Sequence, residues 1–386
     1  MTTDLVERVR QRLAVGGTTP TPALVADAVR TEAGGVVGHT DLLAALRSLG
    51  DEFAGAGALE PLLRDPGTTD VLVTGPAEVW LDGGSGLRRT DIRFPSEDSV
   101  RRLAQRLALA AGRRLDDAQP YVDAWLPGAG PHGRVRLHAV LPPLAPDGTC
   151  VSLRVLRPAT HDLAALRSLG TFDDRTASLL KAIVRTRLAF LVVGGTGTGK
   201  TTLLAALLGC VPDNERIVCV EDAGELQPSH PQVVRLVARP ANVEGVGEVT
   251  VRDLVRQALR MRPDRLVVGE VRGAEVCELL AALNTGHDGG AGTLHANSPA
   301  EVPARLEALA ALGGMSRPAL HSQLAAALQV VVHVRRNSAG RRVLAEIGVV
   351  ARTSDCVRVL PAWRADGRQI GWPTLSGLLN RQNGAH

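Results

Sequence analysis

Leu188-Ala189-Phe190-Leu191-Val192-Val193-Gly194-Gly195-Thr196-Gly197-Thr198-Gly199-Lys200-Thr201-Thr202-Leu203-Leu204-Ala205-Ala206-Leu207-Leu208 is the stretch that decides the fold. Its first six residues are uniformly apolar, as in a strand buried on both faces, and Thr201 to Leu208 read as a buried helix. Between them, Gly194 to Thr201 fits G-x-x-x-x-G-K-[ST] at every position. Glycines at such a turn let backbone N–H groups close around phosphates without side chains in the way, and the helix N-terminus contributes its positive end. Lys200 is one of only two lysines among 44 basic residues, so a chance Gly-Lys-Thr is improbable in this composition. A compact ammonium on a flexible stem reaches β- and γ-phosphates as a point charge, which a planar guanidinium does not imitate. Gly195, Thr196, Gly197, Thr198, Gly199, Lys200, Thr201 and Thr202 are therefore the expected ATP-binding residues. The Thr201 hydroxyl is placed to ligate Mg²⁺.

Downstream, short apolar runs alternate with helices, which implies βαβ units and a parallel sheet. The runs are Leu188–Val193, Ile217–Val220, Leu266–Val268 and Ala291–Leu294. The last three lead into a carboxylate or an imidazole: Glu221-Asp222, Glu270, and His295 within Gly286-His287-Asp288-Gly289-Gly290-Ala291-Gly292-Thr293-Leu294-His295. Ligands of open α/β sheets bind outside the carboxyl ends of the strands, so these residues are expected beside the phosphates. Glu270 ends an apolar strand, as a Walker B acid does. It is a candidate to hold Mg²⁺, directly or through water, with Thr201, or to orient the attacking water. Glu221 shares that second role, and the residues alone do not separate the two. His295 is the candidate γ-phosphate sensor. An arginine cluster, Arg235, Arg239, Arg252, Arg256, Arg260, Arg262 and Arg265, lies between the second and third runs. Thr250 and Asp253 form a capping box for a helix over Val251 to Met261. Arg252, Arg256 and Arg260 then fall on one face, either as a solvated stripe or as guanidinium presented to a neighbour's phosphates.

The chain has 386 residues, 45% hydrophobic and 2% aromatic, with a net charge of +4 and a pI near 9.1. That length suggests two or three domains. Nine aromatics in all leave few stacking platforms, so nucleic acid is not an expected partner. A RecA-type DNA-translocating motor is kept as the alternative function. The five cysteines (Cys150, Cys210, Cys219, Cys277, Cys356) have neither zinc nor disulfide spacing. The N-terminal residues lack the apolar core of a signal peptide, and no uncharged apolar run is long enough to span a bilayer. These features predict a cytoplasmic protein. Residues 1–58 are expected to be helical, 59–160 a small α+β domain, 161–175 a linker and 176–386 the ATPase domain with a C-terminal extension. No role is assigned to the tail beyond Val334.

With these residues laid out, the chain resembles the type II/IV secretion traffic ATPases (the superfamily of GspE and PilT), in particular the Tad/CpaF-like branch of pilus-assembly motors. The resemblance runs from about Asp65 to His333. It is most specific at Arg239-Pro240-Ala241-Asn242-Val243-Glu244-Gly245, Arg260-Met261-Arg262-Pro263-Asp264-Arg265, Gly269-Glu270-Val271-Arg272-Gly273, Asn284-Thr285-Gly286-His287-Asp288-Gly289 and His295-Ala296-Asn297-Ser298-Pro299. Thr74, His138 and Gly290-Ala291-Gly292 depart from the family pattern. The resemblance implies a RecA-like ATPase domain behind a PAS-like α+β domain, and a homo-hexamer working on inner-membrane platform proteins. Association with the inner face of the cell membrane would be peripheral, through those partners. It also implies phosphate-contacting arginines, for which Arg113, Arg134, Arg136 and Arg154 of the N-terminal domain are candidates alongside Arg239 and Arg256.

Overall fold

The computed structural model describes residues 55–84, 86–126, 134–156, 161–242, 245–353 and 356–381, with a few positions between 8 and 32. The helical segment expected over 1–58 lies for the most part outside the described residues. The chain divides into two compact units, Met1–Arg157 and Pro158–His386.

In the first unit a short helix α1 (Glu60–Arg64) precedes six strands and a longer helix: β1 (Asp70–Thr74), β2 (Glu78–Asp82), β3 (Leu87–Arg89), α2 (Glu97–Ala110), β4 (Tyr121–Trp125), β5 (Arg134–Val140) and β6 (Cys150–Leu156). The strands form one antiparallel sheet in the order β3-β2-β1-β6-β5-β4. Alternation along β1, β5 and β6 turns Val71, Val73, Leu137, Ala139, Val151 and Leu153 to one face. There they pack with Val100, Leu103, Ala104 and Leu107 of α2. Ser96 starts that helix by accepting the Ser99 N–H.

The second unit is built on nine strands: β7 (Phe190–Val193), β8 (Ile217–Glu221), β9 (Val233–Val237), β10 (Arg265–Val271), β11 (Ala291–Leu294), β12 (Val330–Arg336), β13 (Arg342–Arg352), β14 (Val357–Arg364) and β15 (Gly367–Arg368). Their order is β15-β14-β13-β12-β7-β11-β10-β8-β9. The six from β12 to β9 run parallel, and β13 to β15 add an antiparallel extension. Among the described residues, eight α-helices flank the sheet: α3 (Leu163–Ser168), α4 (Asp174–Arg185), α5 (Lys200–Leu208), α6 (Val251–Ala258), α7 (Glu275–Leu283), α8 (Val302–Leu312), α9 (Arg317–Ala327) and α10 (Trp372–Arg381). One apolar core holds residues of α3, α4, α5 and α10; a second holds those of α6 to α9. The four sequence-predicted runs are all strands of the parallel block. Its RecA-like α/β class is the expected one.

The structure adds detail to the sequence reading in three places. The 161–175 linker contains α3, capped by Asp162, and Leu163, Leu166 and Phe172 are buried in the ATPase core. Arg235, grouped with the arginines, sits on the edge strand β9 and donates to the Gly224 carbonyl. Arg265, at the start of β10, is buried. Its side chain is 1% exposed and pairs through Nε with Glu215 Oε2 at 2.5 Å, while Arg187 reaches the same oxygen at 3.0 Å. Breaking a buried pair leaves charge without compensation, although Arg187 softens that here. Arg265→Ala should therefore lower unfolding stability by about 3 kcal/mol in chemical denaturation; a loss under about 0.5 kcal/mol, the range of neutral surface changes, would contradict the assignment.

Candidate nucleotide site

The phosphate loop takes its shape from two backbone constraints. Gly199 stands at the N-cap of α5 with φ 94°, and a side chain at Gly194 would be driven into the Val334 carbonyl of β12. Within the loop the Thr198 hydroxyl donates to the Gly195 carbonyl at 2.9 Å. Lys200 is buried, and its Nζ donates to the same carbonyl at 2.9 Å. Burial pushes its pKa down, and the carboxylate of Glu270 works in the opposite direction. Thr201 and Thr202 occupy the first turn of α5 and are partly exposed, while Thr196 is exposed on the loop.

Because β7, β11, β10 and β8 are consecutive parallel neighbours, their carboxyl ends open on one edge of the sheet. Two of the sequence-predicted groups meet Lys200 there in a chain of contacts. His295, just after β11, has Nδ1 at 3.4 Å and Nε2 at 3.5 Å from Lys200 Nζ. Its Nε2 also lies 2.6 Å from Glu270 Oε1, a close contact rather than an aligned hydrogen bond. Arg272 pairs with the other oxygen of Glu270. Burial, and then the Lys200 charge, hold the His295 pKa below its ordinary value against the pull of Glu270. His295 is therefore a neutral imidazole at pH 7 and can accept or donate toward a phosphate.

Glu221 ends β8 and is buried; its Oε1 accepts the N–H groups of Glu225 and Leu226, both at 2.9 Å. Its Oε2 is buried without a hydrogen-bond partner. Desolvation raises the pKa to about 7, and the backbone hydrogen bonds and Arg235 only partly oppose it. The neighbouring strand makes room for this carboxylate through Gly269, where a Cβ would stand 2.6 Å from Glu221 Cγ. The Thr293 hydroxyl of β11 donates to the Gly269 carbonyl at 2.7 Å and fixes that backbone. The small residues of β11 have a similar cause. A Cβ on Gly292 would meet the Val268 carbonyl at 2.8 Å, and one on Gly290 would meet Leu283.

Within this unit the candidate arginines have other partners. Arg252 Nε and Arg256 Nη2 both reach Glu278 Oε1 on α7, at 2.7 and 2.8 Å, so their helix face is tied down within the unit. Arg239 donates to the Gly247 carbonyl. In the other unit, Arg154 pairs with Asp70 and Arg136 with Asp123, and Arg134 lies 4.7 Å over the Trp125 ring. Arg113 closes the end of α2 through its N–H to the Ala108 carbonyl. Two other arginines, missed in the sequence, do touch the loop: Arg336 and Arg342 each donate to the Gly197 carbonyl, at 3.2 and 3.3 Å. They stand at the two ends of the β12–β13 turn, and no local motif marks them.

Residues 52–368 match the family described as Type II/IV secretion system protein. The chain belongs to that family, the type II/IV secretion traffic ATPases. It is 69% identical over 332 residues to a putative conjugal transfer protein of Mycobacterium tuberculosis, covering 86% of this chain and 94% of the relative. It is 30% identical over 361 residues to VirB11 of Agrobacterium fabrum, covering 84% and 97%. Among solved structures, the pilus retraction motor PilT with bound ADP aligns with a TM-score of 0.55 at 24% identity, over 76% of this chain and 82% of that one. The DotB ATPase of Legionella pneumophila gives 0.53 at 20% identity, over 76% and 79%. Both structures share the fold.

The folded-state pKa of Glu221 lies above its unfolded value, so protonation favours folding. Stability is lost as pH rises from about 4.5 toward about 7. Glu221→Gln removes this loss. Relative to the unsubstituted chain, the variant should gain up to about 3 kcal/mol between pH 4.5 and 8 in denaturant titrations. An equal stability difference at both pH values would contradict a buried, proton-holding Glu221.

Proposed function

We propose that this chain is an ATP-hydrolysing motor subunit of a secretion or Tad-type pilus-assembly apparatus, coupling turnover to movement of an inner-membrane platform. The observation that carries the reading is the convergence of Lys200, His295, Glu270 and Glu221 at the carboxyl ends of adjacent parallel strands. A phosphate loop alone binds a nucleotide; two strand-end carboxylates beside it give the means to turn it over.

In this reading Lys200 exchanges its contact with the Gly195 carbonyl for the β- and γ-phosphates, and the loop amides hold the remaining oxygens. The neutral His295 lies between Lys200 and Glu270, where a phosphate oxygen arriving at the lysine would be felt by the imidazole. Glu221 or Glu270 orients and accepts a proton from the attacking water. A carboxylate with a pKa near 7 and one unpartnered oxygen suits that task, which favours Glu221. The donors present also fit Mg²⁺, a hard cation taking oxygen ligands: the Thr201 hydroxyl on the first turn of α5 and the Glu270 carboxylate would hold it. Bound there it would neutralise charge on the phosphates.

The proposal includes a homo-hexamer in which Arg113, Arg134, Arg136 or Arg154 reaches a nucleotide held by the ATPase unit, with Arg239 and Arg256 as further candidates. Among the described residues no helix is long and apolar enough to cross a membrane. Attachment at the inner face of the cell membrane would then be through the platform partner. The relative from Mycobacterium tuberculosis is named for conjugal transfer, so DNA is the partner to test against, although nine aromatics offer little stacking surface.

Lys200→Ala should abolish ATP binding in equilibrium titrations, and retained tight affinity would sink the reading. Glu270→Gln, which weakens the Mg²⁺ site, should bind ATP and turn it over at least about 100-fold more slowly, whereas an unchanged rate would remove Glu270 from the mechanism. Turnover should be indifferent to single- or double-stranded DNA; stimulation by DNA would favour a translocase instead.

A further inference from the structure

The C-terminal hairpin of the ATPase unit, β12 to β13, has no part in the reading above. Its turn, Asn337-Ser338-Ala339-Gly340-Arg341, is closed by the Asn337 N–H donating to the Arg341 carbonyl, and by the Asn337 side chain accepting from Ala339 and Arg341. A turn fixed in this way sets where its two flanking side chains, Arg336 and Arg342, project. Both lie against the phosphate loop. Arg336 donates to Gly197 and Gly340, and Arg342 to Gly197 alone. The loop is shaped to receive them: a Cβ on Gly199 would stand 3.1 Å from Arg342 Cδ, and one on Gly197 3.8 Å from Arg336 Nη2.

Several arginines of this unit pair with a carboxylate. Arg252 and Arg256 share Glu278, Arg265 and Arg187 share Glu215, Arg272 faces Glu270, and Arg364 faces Glu346. Arg336 and Arg342 have no carboxylate among the described residues; their common partner is one neutral carbonyl, which can accept both. Two guanidiniums converging on one acceptor repel each other. Partial burial and the charge of Arg336 push the Arg342 pKa down, and it remains a cation. Each guanidinium is a planar fork suited to two oxygens of a phosphate, and both side chains are exposed to an arriving ligand.

We propose that Arg336 and Arg342 bind the phosphate chain of the nucleotide held by Lys200 in the same subunit, making the C-terminal hairpin the outer wall of the site. This rests on the ATP-site reading of the phosphate loop. In this structure the two arginines rest on the Gly197 carbonyl. When the phosphates enter, they supply the missing counter-charge, and at least one guanidinium turns from the carbonyl to a phosphate oxygen. The tail beyond Val334 thereby acquires a task in nucleotide binding.

The rival role is a brace, in which the arginines only hold the loop through Gly197. The two roles part company in a substitution series on the full chain, with ATP affinity measured by calorimetric titration. Glutamine keeps an amide donor for the carbonyl and loses the charge; lysine keeps the charge and loses the fork. Phosphate contact predicts that Arg336→Gln with Arg342→Gln weakens ATP about 10-fold or more, and that Arg336→Lys with Arg342→Lys recovers most of it. Affinity within about twofold of the unsubstituted chain in the glutamine variant overturns the proposal, as does equal weakening by glutamine and lysine. Lys200→Ala, titrated alongside, separates this failure from that of the underlying reading. Loss of ATP binding only in Lys200→Ala leaves the loop as the ATP site and removes the hairpin. ATP binding that survives Lys200→Ala removes both.

Discussion

A positive charge kept inside a glycine loop is the constraint on which the rest of the site depends. The ammonium of Lys200 is buried, with one carbonyl in direct contact, and burial alone would favour its losing a proton. The protein answers with Glu270 at the end of the next-but-one strand, reached through His295. Each of those positions is fixed by parallel register: β11 lies between β7 and β10, so His295 follows the strand that separates lysine from carboxylate. The charge requires the acid, and the acid requires the strand order.

The same crowding explains why this edge of the sheet is rich in small residues. Glu221 fits beside β10 because Gly269 has no side chain, and β11 slips between its neighbours because Gly290 and Gly292 have none. A larger residue at any of these points would push apart strands whose ends carry the chemistry. Close strand spacing and a raised carboxylate pKa are thus two results of one packing arrangement. The groove that admits Glu221 also keeps water from it.

Much of this was legible in the chain because the signals are local. The phosphate loop is eight contiguous residues between a strand and a helix, and the acids stand where apolar runs stop. A parallel sheet then brings them together without knowledge of any contact. Helix α6 was readable from Thr250 and Asp253, whose reciprocal bonds form as expected. What escaped is what long-range register decides. Arg265 was legible as the start of its strand, but its burial against Glu215, fifty residues away, was not. The segment 161–175 read as linker because its helix is only six residues long and buries two leucines. Arg336 and Arg342 gave no signal at all. They meet Gly197 across about 140 residues of chain, through the pairing of β12 with β7.

In the reading proposed above, these residues form a site that consumes ATP and that neighbouring chains complete. It is tested most directly by phosphate release from MgATP per chain, measured with particle mass across a dilution series, with and without the cytoplasmic part of a membrane platform protein. Turnover should rise with assembly and fall away in the monomer. ATP bound tightly by fully assembled particles with no phosphate released, in either condition, would contradict it.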